Sequence, residues 1–105
     1  MILNINGHNY KVNYVEGLFI NEGQWGKTSA PSLTIDIDAD LITTVAGETT
    51  MHEVLEALNF WQNWELNHHL LTQINASLYG VLNTNKHLVT KLFFPEKKEK
   101  NAYAK

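Results

Sequence analysis

The sequence predicts an α+β domain, a small, mainly antiparallel sheet packed on a two-helix αα-hairpin. Three observations predict it. Two short alternating stretches flank a glycine near the N-terminus, a run from Leu33 to Asp38 alternates strictly, and two later segments repeat their apolar residues at three- and four-residue spacing.

Residues 2–6 (ILNIN) and 9–15 (NYKVNYV) alternate around Gly7-His8 and read as a β-hairpin, with Ile2 or Leu3, Ile5, Tyr10, Val12 and Tyr14 on the packed face. His8, at the turn, is a solvated loop residue in this reading. From Gly17 to Pro31 the chain is rich in Gly, Asn, Ser and Lys and reads as a loop, with Trp25 either tucked beneath it or exposed. Leu33, Ile35 and Ile37 then share one face of a third strand, and Thr34, Asp36 and Asp38 the other. Asp36, Asp38 and Asp40 could suggest Ca²⁺. The alternation with apolar residues, and the lack of an EF-hand glycine and closing glutamate, make a solvated strand face the simpler account.

The first helix is expected to begin near Glu48 or Thr49, where acids and hydroxyls suit a first turn, and to run to about Gln62 or Trp64. Asn67 is an N-cap for the second, in which Leu70, Leu71, Ile74, Leu78, Val81 and Leu82 form the apolar face. Asn83-Thr-Asn85 ends it. His87 to Phe94 reads as a last strand or a docked extended segment, and EKKEKNAYAK beyond Pro95 as a charged terminus, so the domain spans 1–94 and the tail 95–105.

Composition narrows the function classes. A net charge of −3 and a sequence pI near 5.9 argue against nucleic acid, whose binders carry a basic stripe. Lys97, Lys98 and Lys100 alternate with Glu96 and Glu99, the pattern of a solvated tail. The chain has no cysteine, which removes disulfides, thiolate-bound zinc and a thiol nucleophile, and fits a reducing, cytoplasmic setting. Any metal site must use His, Asp and Glu. No apolar run approaches a membrane span, and MILNINGHNYKV lacks the layout of a signal peptide, so no membrane is expected. The apolar Phe93-Phe94 pair leaves the oligomeric state open.

The chemistry-bearing stretch is Thr49 to Leu58, TTMHEVLEAL. At about 100° per residue, His52 and Glu56 lie roughly 40° apart on one face of a helix, a turn apart, so both can reach one ion. Glu53 points about 100° away from His52. Met51, Val54, Leu55, Leu58 and Trp61 fall on the opposite side. Divalent metals of the zinc type take imidazole nitrogen and carboxylate oxygen, with three protein ligands and one open position in a catalytic site. The third ligand would come from His68 or His69 at the start of the returning helix, leaving Glu53 as general base. A His and a Glu at this spacing also occur on many solvated helix faces, and the two-histidine HExxH pattern is broken here.

The stretches YKVNYVEGL, LTIDID, ETTMHEVLEALNF and LNHHLLTQINASLYGVLNTN together resemble a family of small phage and prophage proteins of Gram-positive bacteria, some described as zinc metallopeptidases. In these a TLLHE-type helix carries HExxH or HExxE, and a second helix ends in a GLYQVLKDN-like stretch. The likeness covers residues 2–90, and its specific part is the two helices. By position, His52 matches the first histidine, Glu53 the adjacent glutamate, and Glu56 the residue that is His in the HExxH members and Glu in the others. The third-ligand position falls on His68, with His69 one residue away. The resemblance thus implies a minimal zincin-like domain holding Zn²⁺ on His52, Glu56 and His68, with Glu53 catalytic and a peptide or protein as substrate or partner, in the cytoplasm of a bacterial host. The ligand order is His, Glu, His instead of His, His, Glu, and Thr50-Met51 stands where Leu-Leu is usual. A carboxylate at position 56 alters the surroundings of Glu53, so the alternative implied is a non-catalytic interaction protein with a structural or degenerate site. In this layout the Leu33–Ile37 strand would lie beside the metal helix and offer an edge to an extended peptide.

Overall fold

The computed structural model describes residues 1–96, and the α+β architecture holds there. The order is β1 (Ile2–Ile5), β2 (His8–Val15), α1 (Leu18–Glu22), β3 (Gly26–Ser29), β4 (Thr34–Asp38), α2 (Thr43–Gln62), α3 (His68–Thr84) and α4 (Lys86–Phe93). One sheet of order β1-β2-β4-β3 carries antiparallel pairs at both sides and a parallel β2–β4 pair at its centre. The charged tail expected over 95–105 lies, beyond residue 96, outside the described residues.

The hairpin turns at Asn6-Gly7, whose φ values of 54° and 87° are the two positive values that a two-residue hairpin turn of the right twist requires. Ile5, Tyr10 and Val12 join Ile35, Ile37 and Ala57 in the core. Ile2 and Tyr14 do not. They are 65% and 57% exposed, and Leu3, the alternative to Ile2, is 38% exposed; Ile2 pairs with Lys11 and points to the side of the sheet opposite Ile5. His8 is not a solvated turn residue: it opens β2, and its ring stacks on Trp61 at 3.9 Å. The Trp61 indole N–H donates to the fully buried Tyr10 hydroxyl at 2.7 Å, so an aromatic column ties the hairpin to α2.

The expected loop from Gly17 to Pro31 contains α1 and the edge strand β3. Leu18, 1% exposed, pins α1, and the Asp38 carboxylate accepts the backbone N–H of Phe19 at 2.7 Å and of Asp40 at 2.8 Å. That corrects the picture of a wholly wet acidic face on β4. Asp38 is buried because it satisfies two backbone donors. A second correction follows from the strand order. β4 lies between β2 and β3, so the sheet edge beside the helix that carries His52 and Glu56 belongs to β3.

α2 begins at Thr43, ahead of the expected start, with neither an acidic residue in its first turn nor a side-chain cap to mark it. It ends on Asn63 in the left-handed conformation. The Asn59 side chain donates to the Leu66 carbonyl and accepts from the Leu66 N–H, both at 3.1 Å, folding the α2–α3 turn back on itself. Asn67 then caps α3 by accepting the Leu70 N–H at 2.8 Å. α2 covers the sheet and α3 packs on α2. Of the expected α3 face only Leu71 is buried, while Leu70, Ile74, Leu78 and Val81 are exposed. Residues 86–93, expected as a strand or extended segment, form α4 after a break at Asn85.

Candidate metal centre

Two local features place the ligand set. The uninterrupted turn of α2 puts Glu56 directly above His52, and the Asn59–Leu66 clamp with the Asn67 cap starts α3 where its first residue, His68, returns over that face. The result is a group of His52, Glu56 and His68 whose ligand atoms lie within 4.8 Å of one another. His52 Nε2 is 3.9 Å and His68 Nδ1 3.8 Å from the same Glu56 oxygen, Oε2. The two imidazole rings meet edge to face at 5.1 Å. His69, the alternative third ligand, is exposed and outside the group.

This group could hold a metal ion. Bond lengths of ~2.0–2.2 Å in a tetrahedral site put ligand atoms about 3.4 Å apart, half an ångström closer than the two shorter separations here. His68 can close that gap, since its side chain is 75% exposed and free to rotate, whereas His52 and Glu56 are held on α2 at 15% and 35%. Burial lowers the affinity of His52 for a proton, and the nearby His68 adds to this against the opposing pull of Glu56 and Glu48. His52 therefore favours the neutral form, the form that ligates. The donor set of two nitrogens and one carboxylate oxygen suits zinc-type ions.

Glu53 reaches Thr28 on β3, lines the same cleft as the three ligands, and is 6% exposed. Burial raises its pKa, and the Glu56 carboxylate adds to the rise, while a hydrogen bond from Thr28 and the presence of His68 act against it. The Thr28 hydroxyl lies 2.7 Å from Glu53 Oε1 and 3.1 Å from the Glu53 carbonyl. Its single proton serves the carboxylate when Glu53 is ionised. When Glu53 carries a proton, that O–H can donate to Thr28 Oγ1, and the Thr28 hydroxyl turns to the carbonyl. One residue on β3 thus accommodates both protonation states.

This contact depends on Gly26. A Cβ there would sit 2.8 Å from Thr49 Cγ2, 3.0 Å from Glu53 Cγ and 3.2 Å from Glu53 Oε2, so only glycine lets β3 lie this close to α2. Gly26 and Thr28 belong to the stretch that reads as a loop in the sequence. The segment Gly-Lys-Thr-Ser has no apolar alternation to mark it as a strand.

The centre opens into a cleft of about 1140 Å³ between β3, α2 and α3, lined also by Trp25, Tyr79 and Phe60. Trp25 is 52% exposed, which resolves its two sequence alternatives toward exposure. No helix among the described residues is long and apolar enough to cross a membrane. No family model, curated protein or solved structure matches the chain.

Proposed function

We propose that the protein is a zinc-binding, zincin-like protein of phage or prophage origin that hydrolyses a peptide bond in the cytoplasm of a bacterial host. The observation that carries this reading is the convergence of His52, Glu56 and His68 beside a buried glutamate with a raised pKa. His52, Glu56 and His68 would hold Zn²⁺, which when bound supplies Lewis-acid polarisation and brings the pKa of water toward ~7. Glu53 takes the proton of the attacking water and returns it to the leaving amine, a transfer suited to a carboxyl whose pKa lies above the ordinary range. Thr28 keeps Glu53 oriented in both states. The free edge of β3 is the place for an extended peptide, which would add there as a further strand.

Elemental analysis of protein purified without chelator or affinity-tag metal tests the centre. One equivalent of zinc in the wild type, absent in His52→Ala and kept in Glu53→Gln, is expected, together with peptide hydrolysis lost in both variants. A wild type that takes up no zinc even when zinc is added refutes the reading.

A second reading keeps the ion and drops the reaction. It is favoured by the engagement of Glu53 with Thr28 and its 6% exposure, as suits a tie between α2 and β3. The protein would then act by binding a partner. Zinc at one equivalent with no hydrolysis of a broad peptide library selects it.

A further inference from the structure

We propose that the outward face of α3 pairs with the same face of a second copy of this chain, antiparallel across a two-fold axis, leaving the metal cleft open. Leu70, Ile74, Leu78 and Val81 are 41%, 40%, 42% and 54% exposed. At about 100° per residue they occupy an arc of roughly 80° on one side of the helix, while Leu71 and Asn75 face α2, and His68, Thr72 and Tyr79 lie farther round toward the cleft. The apolar arc of α3 is therefore wider than α2 can cover, and half of it has no cover among the described residues.

The shape of that half indicates a helix as its occupant. Gln73, Ile74, Ser77, Leu78 and Val81 line a shallow hollow, and the last four stand at i, i+3, i+4 and i+7. Four residues at that spacing form the hole into which a knob from a facing helix inserts. A small residue at Ser77 with three apolar ones around it deepens the hollow.

Charge and area then select a second copy. The 17 residues of α3 contain no Asp, Glu, Lys or Arg, so two such faces meet without like-charge repulsion. A two-fold interface requires a self-complementary patch, and in an antiparallel pair centred near Leu78 the Ile74 side of one hollow meets the Val81 side of the other. The four side chains expose on the order of 300 Å² of apolar surface, in the size range of functional patches on monomers. With flanking polar groups at their usual share of an interface, the pair would bury about 1,000 Å² in total, the threshold for a specific interface.

Sedimentation equilibrium of the full chain tests this. The wild type is expected to be dimeric at about 100 μM, and Leu78→Lys to weaken the dimer at least tenfold with far-UV circular dichroism unchanged. The chain has no cysteine, so Leu78→Cys adds a single thiol near the proposed axis. Under mild oxidation it should form a disulfide-linked dimer much faster than Lys11→Cys, placed on the exposed part of β2. A wild type that stays monomeric at that concentration overturns the proposal. So does a dimer that Leu78→Lys leaves intact, or a Leu78→Cys that links no faster than Lys11→Cys. None of these readouts depends on the metal, so the pairing can fail while the metal reading stands.

Discussion

Gly26→Ala isolates the contact that joins the edge strand to the metal helix. Replacing a strand glycine by alanine normally raises stability by roughly 0.5–1 kcal/mol, because the unfolded chain loses freedom. Here the new methyl would stand 2.8 Å from Thr49 Cγ2 and 3.0 Å from Glu53 Cγ. Both atoms belong to α2, a 20-residue helix seated on the sheet; Thr49 is β-branched, and Glu53 is buried and held by Thr28, so neither side chain turns aside cheaply. Overpacking of this kind costs ~1–3 kcal/mol, which outweighs the entropic gain. The expected net loss is about 1–2 kcal/mol, a fall in Tm of roughly 5–10 °C for a domain of this size. Gly80→Ala is the control. A Cβ at Gly80 meets nothing within 4 Å, and alanine in a helix interior is favoured by about 1 kcal/mol, so that variant should gain stability. Urea unfolding of both proteins checks the pair, and a Gly26→Ala protein as stable as the wild type refutes the close approach of β3 to α2. Because His52 and Glu56 lie on another side of α2, Gly26→Ala should keep its zinc while losing Glu53-dependent hydrolysis.

The other predictions concern the ligands and their supports. Zinc at a hundredfold excess over its dissociation constant should stabilise the wild type by about 2.7 kcal/mol, reversed by chelator and absent in His52→Ala, as thermal unfolding with and without metal will show. Asn67→Ala removes the cap that accepts the Leu70 N–H and should cost about 1 kcal/mol in urea unfolding. It should also weaken zinc binding by calorimetry, since His68 occupies the turn that Asn67 fixes. Glu53→Gln should alter the pH dependence of stability in a definite sense. The folded pKa of Glu53 lies above its ordinary 4.5, so the wild type matches the variant in this respect below pH 4.5 and loses stability relative to it as pH rises through the folded pKa. Above that the variant should be the more stable. A variant advantage that shrinks with rising pH would contradict the burial assigned to Glu53.

The sequence carried the ligand set further than it carried the frame around it. Periodicity located both helices of the hairpin, and the Asn67 cap fixed where α3 starts, which is why His68 and not His69 meets α2. Local pattern also found β1, β2 and β4. It missed β3 because that strand holds one glycine, one lysine and two hydroxyl residues, and its position follows from packing on α2 and not from any alternation of its own. α4 was illegible for the opposite reason: eight residues, Lys86 to Phe93, are dense enough in apolar side chains to fit either period. The Asp38 and His8 corrections share a cause. A carboxylate that takes two backbone N–H groups and a half-buried histidine that lies flat on Trp61 are held by partners distant in sequence, Phe19 in one case and α2 in the other. Thr28, the partner of Glu53, is hidden by the same long separation.

The burial of Glu53 links stability to the proposed chemistry. A carboxylate held against β3 with one hydroxyl donor is a cost to the fold, and natural proteins carry such costs where the group has work to do. Glu53 is electrostatically coupled to both Glu56 and His68, so a divalent cation among the ligands would act on it as well. The cation would favour its ionised form, drawing the Glu53 pKa back down against the effect of burial. Coupling of this kind is reciprocal. Zinc should therefore bind the wild type more tightly than Glu53→Gln, even though the variant keeps all three ligands and is the more stable protein without metal. A glutamate that served only to tie α2 to β3, insulated from the centre, would leave the two zinc affinities equal, and calorimetric titration of both proteins distinguishes the cases.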